Sequence, residues 1–325
     1  MFSLASWLAR IAATTFGVLF TTLALAQSYP DRPVHLLVAF PPGGGANFVA
    51  RVLAQLLSDR LGQSVVVENR PGSNGNVAGE LVARAAADGY TVLQSAGSLL
   101  TVNPHLYATM PIDPFKDLLP VATITSDELL LTENPALEPK GFRDFIDYAG
   151  RARPPLLYGS IGNGSEHHLA MELLKEQAGI QMTHVPYRGG GPAALGVMGG
   201  EVAAMFGGGS VTPLVQAGKL RALAISGRKR SPIFPDLPSI SEIYPAYDVT
   251  IWQGLFVPAA TPPEIVARLR AAASAVIAQP EFAAKLAAAG SGEPFATTPN
   301  EMTALIHADD ERFGRVIRAS GLKVE

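Results

Sequence analysis

The sequence predicts an α/β protein of two lobes, each a largely parallel sheet wrapped by helices, with a cleft between them. Three observations carry this. Apolar runs of strand length alternate with segments of helical period from Pro33 onward; the alternation occurs twice, on either side of a proline-punctuated stretch; and two further apolar extended segments bracket the second half.

In the first half, "VHLLVAF" (Val34 to Phe40) is a near-continuous apolar run, as expected of a strand buried on both faces. Phe48, Val52, Leu53, Leu56 and Leu57 then recur at three- and four-residue spacing, one face of a helix ending near Leu61-Gly62. "SVVVEN" (Ser64 to Asn69) is a second strand, "RPGSNGN" a turn cluster, Val77, Leu81, Val82 and Ala85 a second helical face, and "GYTVLQS" (Gly89 to Ser95) a third strand. Strand, helix, strand, helix, strand implies right-handed parallel crossovers. "NPHLYATMPIDPFKDLLPVATI" reads as a connection.

In the second half, "PPLLYGS" is a strand, "GNGSEHHLAMELLKEQAG" a glycine loop and helix, and "MTHVPYRGGGPAALGVMGG" another strand, loop and short helix. "EVAAMFGGG" and "LRALAISG" add two strands. Ile265 to Leu286 is an alanine-rich helical region broken at Pro280, and Asn300 to Ile317 is a last helix. "DELLLTEN" and "VTIWQGLFV" bracket this half, so the chain leaves a first lobe and returns to it. The expected division is 27–125 with 253–325 as lobe 1, discontinuous, and 126–252 as lobe 2.

Residues 1–26 carry one charge, Arg10, an apolar stretch from Ile11 to Leu25, and small residues Ala24-Leu25-Ala26 at cleavage spacing. This is expected to be a secretory signal peptide; an uncleaved anchor is the alternative, since the apolar stretch is long for a signal. There is no cysteine, hence neither a disulfide framework nor a lipid-carrying cysteine. The formal net charge of −3 becomes −4 once Arg10 is removed, which argues against a nucleic-acid partner.

"PPGGGAN" after the first strand is the leading motif. It lacks the GxxxxGK[ST] of a phosphate loop, and its consecutive glycines followed by Phe48 do not make a dinucleotide fingerprint. Glycines at a strand-to-helix turn do bare the backbone NH groups of the first helical turn, where the helix dipole favours an anion; Asn47 is a candidate cap. A tight turn with no ligand is the alternative. "GSIGNGSE" opens a second such turn in the other half, with Ser160, Asn163 and Ser165 as donors and Ser165 as a plausible cap. Two such helix starts facing one cleft would hold an anion from both sides, and the end of the third strand at Ser95 would join them at a switch in strand order.

Other chemistries fit less well. Gly162-Asn163-Gly164-Ser165-Glu166 is not the GxSxG of a nucleophile elbow, although Ser160 or Ser165 with His168 keeps a secreted serine hydrolase open as an alternative. His167 and His168 are adjacent and point about 100° apart on a helix, which disfavours a shared metal; no metal or cofactor is expected. Tyr187 offers a donor, and Arg188 either a carboxylate partner or a solvated surface charge. Trp252 and Gln253 would line the cleft unless Trp252 is core.

These segments, with "YPDRPVHLLVAFPPGGGANFVAR", "YGSIGNGSEHHLAMEL", "HVPYRGGGPA" and "GKLRALAISGRKRSPIFPDLPSISE", resemble the tripartite tricarboxylate transporter solute receptors, the Bug family, over nearly all the mature chain. The resemblance implies a periplasmic, monomeric type II solute-binding protein: two Rossmann-like lobes, two crossover strands and a cleft for a small mono-, di- or tricarboxylate, passed on to membrane transporter subunits or a signalling partner. It implies carboxylate contacts from Phe40, Pro42, Gly43 and Gly44 and from Ser160, Gly164 and Ser165, with His168, Tyr187 and Arg188 nearby. The family usually has aspartate where this chain has Asn47, Gly196, Ala203 and Gly207. From Asn47 we expect a ligand without an ammonium group.

Overall fold

The computed structural model describes residues 29–231 and 233–323. The expected signal peptide lies outside the described residues. The strands are β1 Val34–Val38, β2 Val65–Asn69, β3 Thr91–Ala96, β4 Leu118–Glu128, β5 Leu130–Glu133, β6 Leu156–Ser160, β7 Met182–Pro186, β8 Ala204–Gly207, β9 Arg221–Ile225, β10 Thr250–Pro258 and β11 Glu293–Pro294. The helices are α1 Gly45–Leu61, α2 Asn76–Ala83, α3 Ser98–Thr101, α4 Asn103–Leu106, α5 Pro114–Asp117, α6 Phe142–Arg151, α7 Glu166–Ala178, α8 Gly190–Met198, α9 Thr212–Gln216, α10 Pro263–Ile277, α11 Pro280–Ala289 and α12 Pro299–Ser320.

They form two sheets. One runs β11-β4-β10-β3-β1-β2 and the other β7-β6-β8-β5-β9. In the first, β1 lies between β2 and β3, parallel to both, while β10 is antiparallel to β3 and β4. In the second, β6 is parallel to β7 and β8, and β5 is antiparallel to β8 and β9. Strand order therefore reverses between β1 and β3 and between β6 and β8, and the crevices at those carboxyl ends are where an open α/β sheet admits ligands.

Each sheet is covered on both faces, which explains the unbroken apolar runs. One face of the first sheet packs Val49, Leu53 and Leu57 of α1 with Leu269, Ala273 and Val276 of α10 and Phe282 and Leu286 of α11. Its other face buries Ala78, Val82, Leu99, Trp252, Met302 and Ile306. In the second sheet, Phe145, Tyr158, Leu169, Phe206 and Tyr247 fill one face and Ala193, Val197, Met205 and Leu220 the other.

The chain changes sheets at Leu129, between β4 and β5, and again before β10 at Thr250. Residues 126–128 and 250–252 thus pair inside the first sheet. The segment "LLPVATI", expected to be connection, is instead β4. Pro120 interrupts its pattern, and a register shift where β10 passes it accommodates a residue with no NH to donate. Helix α12 belongs to neither lobe alone: Met302 and Ile306 join the first core, and Phe313, Val316 and Ile317 the second. Among the described residues no helix is long and apolar enough to cross a membrane.

Candidate functional site

Between the two switch points lies a cavity of about 140 Å³. The first lobe contributes Phe40, Pro41, Gly44, Gly45 and Ala46 after β1, Ala96 after β3, Thr125 and Asp127 of β4, Ile251 and Gln253 of β10, and Gly290 and Ser291 after α11. The second contributes Ile161, Glu166, His167, Gly189, Gly190, Met205 and Gly207 to Gly209.

Two helices begin at this cavity without a side-chain cap. Helix α1 is preceded by extended Gly44 (φ −88°, ψ 169°), and α8 by Gly189 at φ +112°. First-turn NH groups left uncapped make a site of positive potential. The two starts meet across the cleft: a Cβ on Gly189 would touch Pro41 at 3.9 Å. Among the described lining residues there is no lysine or arginine, so the positive potential of the cavity comes from its backbone NH groups. Gly43, at φ +86°, turns the chain into α1 in a conformation that favours glycine.

Asn47, expected as the α1 cap, is the third helical residue and is buried. Its amide donates to Asn69 Oδ1 (2.9 Å), and Asn69 in turn donates to the Phe40 carbonyl (2.8 Å). It braces the loop from outside the lining, so the inference from Asn47 to a ligand without an ammonium group has no geometric basis. Phe40 and Gly44 line the cavity; Pro42 and Gly43 sit exposed beside it. Ser95 is buried with an unpartnered hydroxyl, 3.1 Å from where a Cβ on Gly75 would lie, and its neighbour Ala96 does the lining.

The second glycine loop is tied up internally. Ser165 caps α7, accepting from the His168 NH (3.3 Å) while its hydroxyl donates to the Gly162 carbonyl (2.8 Å). Ser160 Oγ lies 2.7 Å from His184 Nε2, and the His184 ring stacks on His168 at 3.7 Å. His168 Nδ1 accepts from the Gly164 NH (3.2 Å). Gly164, at φ +74°, packs against Leu106 of the other lobe. None of Ser160, Gly164, Ser165 and His168 lines the cavity; Ile161, Glu166 and His167, interleaved with them, do. Neither serine hydroxyl meets the His168 ring, as the hydrolase alternative requires. Tyr187 donates to Glu201 (3.0 Å) beneath Gly196, and Arg188 is exposed; both lie outside the lining. Trp252 is core, its indole NH donating to Asp309 (2.8 Å), whereas Gln253 lines the cavity and accepts from Gln94 (2.7 Å).

Of the cavity's ionisable groups, Asp127 falls in no glycine motif, and Glu166 and His167 follow the second one without an assigned ligand role. Asp127 accepts from the Gly209 NH (3.2 Å), and burial pushes its carboxyl up to about 7. Glu166 bridges the lobes by accepting from the Ser98 NH (3.1 Å), and burial raises it as well. Burial lowers His167 to about 4, so its ring is neutral. The signal that could have found the α8 start was present: Gly189-Gly190-Gly191 repeats the uncapped glycine turn of Gly43 to Gly45. Among the described residues no group of three or more His, Asp or Glu side chains could hold a metal ion.

The family described as the tripartite tricarboxylate transporter family receptor matches residues 49–322. Protein BugT of Bordetella pertussis is 35% identical over 304 residues, covering 92% of this chain and 93% of that protein. The solved structure described as R. palustris Rpa4515 with adipate is 34% identical with a TM-score of 0.84, covering 91% of this chain and 99% of the other. MatC from Rhodopseudomonas palustris with bound malate is 30% identical with a TM-score of 0.80, covering 89% and 100%. By its matched length and its identity to these relatives the chain belongs to the tripartite tricarboxylate transporter receptor family, and it has the two-lobe type II fold of the Bug-type periplasmic binding proteins.

Proposed function

We propose that the protein is a periplasmic receptor that captures a small organic carboxylate between its lobes and hands it to membrane subunits of a tripartite tricarboxylate-type transporter. The observation that carries this is the meeting of two uncapped helix starts, α1 and α8, from opposite lobes on one cavity whose described lining has no cationic side chain. Such a site suits a carboxylate held by backbone NH groups rather than a polyphosphate. The adipate and malate in the neighbouring structures support the same ligand class. The sequence pattern at residues 1–26 supports export.

Capture works by population shift. A ligand that touches α1 and α8 together gains both sets of contacts only when the lobes are closed, so it draws the open form toward the closed one. A thermal-shift and calorimetry panel of mono-, di- and tricarboxylates tests the reading. At a hundredfold excess over Kd a true ligand stabilises the fold by about 2.7 kcal/mol, and mass spectrometry should recover it chemically unchanged. No stabilisation by any carboxylate would overturn the proposal.

A further inference from the structure

Asp127 stands at the strand that leaves the first lobe, half-buried and reachable from the cavity. A Cβ on Gly208 would lie 3.1 Å from its Oδ2 and 3.9 Å from His167 Nε2, so both groups close in on the same bare glycine at the cavity wall. His167 has a buried, unpartnered Nδ1. This corner lines the same cavity as the α1 and α8 starts, where the first carboxylate is proposed to sit.

The charges facing Asp127 are unbalanced. Its own strand offers Glu128, β11 offers Glu293, and α7 offers Glu166 and the neutral His167. Lys229 and Arg230 line an adjoining cavity that Asp127 also borders, but both are exposed to solvent, and the Nε–Nη2 edge of Arg230 is paired with Glu242, at 2.8 and 2.7 Å. A second ligand carboxylate entering beside an ionised Asp127 would meet like charge in a desolvated space. Two carboxyls in that position cannot both stay ionised; a proton shared between them replaces repulsion with a charge-assisted O–H···O⁻ hydrogen bond.

We propose that Asp127 reads the far end of the ligand, and that a dicarboxylate is captured together with one proton held between Asp127 and its second carboxylate. The proton comes from solvent, no covalent bond to carbon changes, and the inference rests on the carboxylate-receptor reading above. Because the free carboxyl is pushed up to about 7, affinity is level from there down to the ordinary carboxylate range of the ligand and falls about tenfold per unit above it.

Calorimetry with adipate and malate on the full mature chain, repeated at pH 8 in buffers of different ionisation enthalpy, counts the protons taken up. The expected result is close to one per ligand. Asp127→Asn, an uncharged donor at the same place, should still bind both acids but with no proton uptake and no loss of affinity between pH 7 and 9. Dicarboxylate binding without proton uptake, or binding of monocarboxylates alone, would overturn the role of Asp127 while leaving the receptor intact. Absence of binding by every carboxylate would overturn the receptor reading and this inference with it. The wild-type proton count needs no variant to fold.

Discussion

At the residue scale, the hydroxyls and amides of the glycine loops serve the loops themselves. Ser165 is the clearest case: it accepts from the first turn of α7 and donates back to Gly162, and neither bond points into the cavity. Removing it should therefore appear in stability rather than affinity. Ser165→Ala is expected to lower unfolding free energy by about 1 kcal/mol, the usual worth of an N-cap, with ligand affinity within about twofold of wild type. Denaturant titration alongside calorimetry checks both numbers, and a tenfold or greater loss of affinity at unchanged stability would put the hydroxyl on the ligand. Asn47 follows the same logic. An aspartate there could not donate to Asn69 Oδ1, so the letter that departs from the family bears on how the Phe40 loop is braced.

At the scale of elements, α7 and β7 share a buried polar stack. Tyr158 hydrogen bonds Glu172, Lys175 pairs with the same carboxylate at 2.6 Å, and His168 lies flat against His184. Chiefly through burial, His168 is lowered to about 3 and His184 to about 4; the Lys175 charge lowers both, while the Glu172 carboxylate works against it at His184. In the unfolded chain these rings take up protons near 6.5; in the fold they stay neutral, so the unfolded state binds more protons as pH falls from there toward 4. Each histidine then removes stability as pH falls, His168 by on the order of 1.4 kcal/mol per pH unit and the more exposed His184 by less. Buried carboxyls such as Asp127 and Glu133, both raised to about 7, act in the opposite sense, so a comparison of proteins isolates the histidine effect. His184→Gln should lose less stability than wild type between pH 6.5 and 4.5, measured by urea unfolding at each pH; parallel profiles would remove His184 from acid sensitivity. This stack was only half legible in sequence. The partner of the His184 ring and the register of β6 against β7 are tertiary facts, as is the pairing of Tyr158 with His184 across those strands. Apolar period and glycine turns were legible because burial on two faces and positive φ leave local marks. Asp127 and Glu166 were not, because a carboxylate in a strand or a first helical turn looks alike whether it faces water or a cavity.

At the scale of the molecule, specific polar contacts join the two lobes around the cavity, besides the packing of α12 on both cores. Asn74 donates to the Gly164 carbonyl (3.1 Å), Glu166 accepts from Ser98, and Asp127 accepts from Gly209. Above the cavity, the backbones of Gly209 and Gly290 approach so closely that a Cβ on Gly209 would run into the Gly290 carbonyl. Gly209 needs no unusual φ, since it is absent from the positive-φ positions; what it needs is the missing side chain. A single methyl there should leave each lobe's core untouched and hold the lobes apart. If the ligand's contacts with α1 and α8 are realised together only on closure, excluding the closed form removes most of the binding free energy. Gly209→Ala is thus expected to reduce carboxylate affinity by about 100-fold or more, with thermal unfolding of the ligand-free protein nearly unchanged. Small-angle scattering supplies the second readout: wild type should contract when ligand is added, and the variant should not. Wild-type affinity in Gly209→Ala would mean that the ligand is held without the Gly209–Gly290 contact, and closure would then have to be sought in the α12 strap, whose Met302 and Phe313 anchor opposite lobes.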